Sequence, residues 1–196
     1  MLMRILTHSI LVPAIAAAML TASQANPIFD PFGLFTRGAP AGRQDTYGGS
    51  PVTRGMVSYP SGERPGTVII STRERRLYYL LGDGRAISYG IGVGRDGFAW
   101  SGVKTVSAKR EWPGWTPPKE MLRRRPDLPR YMPGGPDNPL GARAMYLGST
   151  LYRIHGSNEP HTIGQAVSSG CFRMTNADVV DLYNRVRVGA KVIVQR

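Results

Sequence analysis

Residues 154–174 read IHGSNEPHTIGQAVSSGCFRM, and the single cysteine of the chain, Cys171, lies near the end of this run. A structural cysteine normally sits among apolar neighbours, because a free thiol packs like a small hydrophobe. Cys171 instead follows Ser168-Ser169-Gly170, where the chain can turn sharply and leave its backbone accessible, and Arg173 lies two residues on. A nearby cation favours the thiolate, which is the nucleophilic form. An unperturbed thiol has a pKa of ~8.5, so a base or a positive field is useful at neutral pH. His155 is the candidate base. It closes an apolar strand, and Gly156 after it leaves a backbone carbonyl free to orient the imidazole. His161 competes for the role, but it sits in a polar loop after Pro160, where its orientation is poorly fixed.

The rest of the composition narrows the setting of that thiol. The chain has 196 residues, 25 Lys+Arg against 13 Asp+Glu, and a formal charge of +12. That length allows one domain, or one domain with a small appendage. An apolar fraction of 41 % with 19 % charged residues excludes wholesale disorder. A lone cysteine excludes an intramolecular disulfide framework, and with three histidines a zinc finger lacks ligands. Residues 1–25, MLMRILTHSILVPAIAAAMLTASQA, place Arg4 before an apolar stretch and end with small residues, Ser23 and Ala25, at −3 and −1 of a cleavage site. This is the pattern of a secretory signal peptide, hence of export. The stretch is short for a spanning helix and Pro13 interrupts it. Removing it leaves 24 basic and 13 acidic residues, or +11, and only His155 and His161 for chemistry. An exported protein with one thiol uses it either to pair with another chain or as a reactive group. The neighbours of Cys171 favour the second.

Along the chain, residues 26–65 are rich in Gly, Pro, Ser and Thr without sustained periodicity, and read as a flexible arm or linker. Short β-rich runs follow at 67–71, 76–81 and 86–93, the last two joined by the tight-turn signal Gly82-Asp83-Gly84. Further candidates are 103–108, 144–147 and 151–155. Strands at this spacing predict a mainly β fold, an antiparallel sandwich or barrel-like domain. Residues 111–141 contain eight prolines and four glycines. A segment of that texture inside a domain is usually a functional loop or lid, and Pro118 suits the start of a short helix over 119–125. Near the C-terminus, Thr175-Asn176-Ala177-Asp178 matches a capping box. Val179, Leu182, Tyr183 and Val186 then recur at helical spacing, Gly189 ends the helix, and 191–194 reads as a last strand.

On these motifs the region from about Gly66 to Gln195 resembles the L,D-transpeptidase catalytic domain of the YkuD type. The resemblance rests on His155-Gly156, on Ser168-Ser169-Gly170-Cys171-Phe172-Arg173, on Asn138-Pro139-Leu140-Gly141, and on the strand ending in Val93-Gly94-Arg95. It implies a β-sandwich or barrel-like catalytic domain over 66–196, with one C-terminal helix and a long Pro-rich lid loop. It implies Cys171 as nucleophile, His155 as general base and the Gly156 carbonyl as the group that orients it. Backbone N–H groups around Gly170 and Cys171 would hold the oxyanion. Ser169 and Arg173 would support the site or contact substrate, Arg173 through a substrate carboxylate. Two departures affect the acceptor and the rate. Ser169 stands where many members have His, and Ala99-Trp100-Ser101-Gly102 where many have Thr-Pro-x-Gly.

The implied reaction is acyl transfer through a Cys171 thioester. The donor is a peptidoglycan stem peptide, which loses its terminal D-alanine and becomes 3–3 cross-linked to a second stem peptide. An outer-membrane protein amine as acceptor would anchor that protein to the wall, and water would make the enzyme an L,D-carboxypeptidase. No metal or organic cofactor is required, because the thioester conserves the energy of the cleaved amide, and carbapenems are the expected inhibitors. Papain-like peptidases place the cysteine before the histidine, and sortases separate the two by much more chain. The alternative of another class is a non-catalytic, basic wall-binding relative, its charge drawn to an anionic polymer. Nucleic acid does not fit an exported chain without an aromatic-basic RNA-binding motif.

Overall fold

In the computed structural model, which describes residues 50–196, the β-rich runs become strands of a single large sheet with a two-stranded annex. The first half holds β1 (Gly55–Ser58), β2 (Val68–Ser71), β3 (Arg76–Gly82), β4 (Arg85–Gly90), β5 (Val93–Gly94) and β6 (Gly102–Glu111). A short helix α1 (Lys119–Arg124) precedes β7 (Arg143–Leu147) and β8 (Arg153–His155). Then come β9 (Ala166–Ser168), β10 (Phe172–Arg173), α2 (Asn176–Arg185) and β11 (Lys191–Gln195). The large sheet runs β1-β4-β3-β2-β11-β6-β7-β8-β10, and β5 pairs with β9 beside it. The signal-peptide reading and residues 26–49 of the proposed arm lie outside the described residues.

The mainly β reading holds, with a mixed rather than antiparallel sheet. β11 lies parallel to β2, and β10 parallel to β8. Parallel neighbours need a long connection, and here nearly the whole domain separates β2 from β11. All four residues of β2 are buried, as expected of a strand covered on both faces. On one face Val68 and Ile70 join Val192, Val194, Leu77 and Tyr89 against Val179, Leu182 and Val186 of the α2 region. On the other, Ile69, Leu80 and Ala86 form a smaller cluster covered by Val57, Tyr59 and Ile193.

That second cluster explains an element missed in the sequence. Gly55–Ser58, inside the segment read as an arm, is an edge strand, paired antiparallel with β4 through Val57 opposite Ala86. Its one inward apolar side chain gives no periodic signal. The pairing rests instead on backbone bonds to β4. At the other end of the chain, α2 starts where the capping residues place it. The Thr175 hydroxyl accepts from the Asp178 N–H at 3.1 Å, and the Asp178 carboxylate meets Arg54 at 3.4 Å. The helix stops at Arg185, earlier than Gly189. Gly189 makes the turn into β11 with φ of 89°.

Candidate functional site

β8 and β10 place the two chemically informative side chains. They pair in parallel, Ile154 with Phe172 and His155 with Arg173, so Cys171 sits at the mouth of that ladder. Antiparallel pairing of Ala144 with His155 fixes β8 from its other side. β10 is held from beyond by Gly92, which exchanges two 2.9 Å backbone bonds with Arg173. Ile154 and Phe172 are anchored in the core, so the residues beside them have little freedom to shift.

His155 is buried, and its Nδ1 lies 2.6 Å from the Gly156 carbonyl oxygen. A carbonyl can only accept, so Nδ1 carries the proton and Nε2 is left as the basic nitrogen. Burial, reinforced by the charges of Arg173 and Arg153 and opposed by the Gly156 carbonyl, holds the imidazole pKa down to about 3. Burial also pushes the Cys171 thiol up, against the backbone N–H and guanidinium of Arg153 and the charge of Arg173. Both directions favour a neutral thiol beside a neutral imidazole at rest. The thiol donates to the Leu151 carbonyl at 3.6 Å.

The turn before Cys171 is built from specific contacts. Gly170 has φ of 103°, and a Cβ there would come within 2.6 Å of the Tyr152 ring, so only glycine fits. Its carbonyl accepts from the Trp100 indole at 2.8 Å, and Trp100 stacks on Tyr152 with ring centroids 4.6 Å apart. The Gly170 N–H donates to the Ser168 hydroxyl at 3.1 Å, which in turn donates to the Cys171 carbonyl at 2.6 Å. The expectation that the Gly170 N–H faces an oxyanion is therefore not met. The side-chain oxygen two residues back reaches it first.

Cys171, His155, Ser169 and Arg173 open on one cleft of about 730 Å³. Trp115, Pro117, Pro118, Lys119, Met121 and Arg124, from the Pro-rich segment and α1, line the same cleft. Mutual 2.8 Å backbone bonds between Trp115 and Met132 close that segment on itself. Trp112 lies outside the cleft lining and is exposed. His161 is exposed on a 3-10 turn and does not line the cleft. The Arg173 guanidinium bonds the Glu159 carboxylate at 2.9 Å. Asn138-Pro139-Leu140-Gly141 is a scaffold for the His155-Gly156 corner. The Asn138 amide bonds the Met132 and Pro133 carbonyls, and a Cβ on Gly141 would strike Gly156 and Ser157 backbone atoms. Among the described residues no group of three or more His, Cys, Asp or Glu is placed to hold a metal.

Two participants escaped sequence reading. Trp100 was visible only as a departure at its position, and its partner is a backbone carbonyl 70 residues away. Arg153, two residues before His155, lines the cleft, a consequence of strand alternation that was available in the sequence.

Comparison with known proteins converges on one family. The L,D-transpeptidase catalytic domain family, YkuD, matches residues 65–194. A probable L,D-transpeptidase of Escherichia coli K12, ErfK/SrfK, is 40 % identical over 134 residues, covering 64 % of this chain and 42 % of that protein. The chain thus spans less than half the length of that curated relative. A Brucella melitensis crystal structure described as a probable carnitine operon oxidoreductase is 47 % identical, covering 73 % of this chain and 93 % of that one, with a TM-score of 0.50. An L,D-transpeptidase from Mycobacterium smegmatis shares the fold at 16 % identity and a TM-score of 0.54, over 66 % of this chain and 58 % of that one.

Proposed function

The chain belongs to the YkuD-type L,D-transpeptidase catalytic domain family, and from that premise we propose that it is a periplasmic peptidoglycan L,D-transpeptidase. The observation that carries the reading is one cleft holding a thiol and an imidazole whose Nδ1–H is pinned to the Gly156 carbonyl. A nucleophile, a base and a group that orients the base are the minimum set for acyl transfer. The oxidoreductase description of the Brucella protein concerns that protein. The side chains gathered here have acyl-transfer character.

Because thiol and imidazole rest neutral, the Cys171 proton passes to His155 Nε2 as sulfur attacks the carbonyl of the third stem-peptide residue. The Cys171 N–H, on the turn shaped by Gly170, is the donor assigned to the oxyanion. Collapse breaks the amide bond, and the departing D-alanine amine takes the proton from Nε2. The resulting thioester is attacked by the side-chain amine of a second stem peptide. His155 accepts that amine's proton and returns it to the leaving sulfur. The products are a 3–3 cross-link and free D-alanine, with no net redox change. Ser169 lines the cleft without titrating near neutrality, so no second imidazole supports the base. The signal-like residues 1–25 support export, and carbapenems are the expected covalent inhibitors. An outer-membrane protein amine or water would be the competing acceptor.

Incubating the protein with defined tetrapeptide muropeptides and separating products by mass tests this. Cross-linked dimer with released D-alanine is expected. Tripeptide alone would assign hydrolysis instead, and no consumption would overturn the enzymatic reading in favour of a wall-binding protein.

A further inference from the structure

Of the two arginines flanking the nucleophile, Arg173 already holds a carboxylate and Arg153 does not. Residues i and i+2 of a strand face the same side, so on β8 Arg153 and His155 project together while Ile154 between them is buried. The two lie roughly 7 Å apart along the strand, and both line the cleft with Cys171. Arg173 is bonded to Glu159 at 2.9 Å, and Arg143 lies 3.1 Å from Glu111. Among the described residues no carboxylate comes within ion-pair distance of Arg153.

The Arg153 guanidinium is also prepared for a ligand. Its Nε is buried without a hydrogen-bond partner, a state that costs free energy until something accepts from it. Its carbon sits 5.1 Å over the Tyr146 ring, a seat that orients the planar fork without consuming its donors. The group best matched to that fork is a carboxylate, taken through two parallel N–H···O bonds.

We propose that Arg153 binds a carboxylate of the donor stem peptide next to the bond that Cys171 attacks, an inference that rests on the acyl-transfer reading above. Two carboxylates flank that bond. One is the α-carboxylate of the departing D-alanine, and the other is the side-chain carboxylate of the third residue where that residue is a diamino diacid. In either case Arg153 selects the donor, and Arg173 serves as a structural partner of Glu159.

Donor tetrapeptides amidated at one or the other carboxylate distinguish the two sources. With the purified protein, kcat/KM for donor consumption is expected to fall roughly tenfold or more on amidating the recognised group. Arg153→Gln lowers turnover of the free acid toward the level of that amide and abolishes the discrimination, whereas Arg153→Lys retains part of it. Alkylation of Cys171 by iodoacetamide, an uncharged reagent, reads the thiol alone. The Arg153 guanidinium favours the thiolate, so Arg153→Gln slows alkylation as well. The acid-to-amide ratios, in which that common effect cancels, carry the test. The inference is overturned if the wild type treats both amides like the acid, or if Arg153→Gln preserves the wild-type ratios. It is equally overturned if the variant slows alkylation and all peptides alike, which marks an effect on the thiol only. Should Arg153→Gln fail to fold, the wild-type ratios and Arg153→Lys still decide. A wild type that consumes no donor of any kind defeats the acyl-transfer reading itself.

Discussion

Mild acid is expected to destabilise this protein through one imidazole. Folded His155 stays neutral down to about pH 3, because it is buried and faces Arg173 and Arg153, whereas an unfolded histidine titrates near 6.5. Between those values the unfolded chain binds one proton more than the native state. Stability therefore rises with pH across that window and is lost as pH falls from about 6.5 toward 3. Each pH step of one below 6.5 removes up to about 1.4 kcal/mol. At pH 5 the loss from His155 alone is about 2 kcal/mol relative to pH 8, which for a domain of this size lowers Tm by about 4–8 °C. Thermal unfolding of the wild type and His155→Gln at both pH values isolates the effect, since the carboxylates titrate in both proteins and cancel. The wild type should lose about 2 kcal/mol more than the variant on acidification. Equal losses would refute the claim that His155 is held neutral by its surroundings.

Three substitutions probe the turn and the helix. Trp100→Phe keeps the ring stack on Tyr152 but removes the donor to the Gly170 carbonyl. It should cost about 1–2 kcal/mol by thermal melting and slow carbapenem acylation of Cys171 roughly tenfold, and an unchanged acylation rate would remove Trp100 from the positioning of the nucleophile. Gly170→Ala forces a Cβ toward the Tyr152 ring at a φ of 103° and should lose more than about 1 kcal/mol, read from chemical denaturation. Thr175→Ala deletes the acceptor for the Asp178 N–H and should cost about 1 kcal/mol in the same assay without altering acylation.

What could be read from the sequence divides along physical lines. Cys171 and His155 stood out because unusual neighbours mark each one locally: a Ser-Ser-Gly turn before the thiol, and a glycine carbonyl after the imidazole. The α2 helix was readable for the same reason, since capping residues and a 3.6-residue period are short-range signals. Pairings set by distant chain were not. β11 lies against β2 because Val192 and Val194 share one core with Val68 and Ile70, a fact about the assembled core that neither run states alone. Gly55–Ser58 became an edge strand with only Val57 turned inward, too little pattern to separate from a linker. The Arg173–Glu159 ion pair at 2.9 Å depends on where Glu159 falls after the chain turns, which the spacing around Cys171 does not state. The Gly170 N–H was likewise captured by Ser168, a side-chain competition that a glycine turn does not announce.

The central claim is that Cys171 forms a thioester with its donor by way of His155. Intact-mass measurement of the protein mixed with a tetrapeptide muropeptide and quenched rapidly in acid tests it most directly. The account predicts a mass gain equal to the muropeptide less D-alanine on the wild type, a smaller gain on His155→Gln, and none on Cys171→Ala. A wild type that consumes donor without ever showing the adduct, or an adduct that persists on Cys171→Ala, would contradict it.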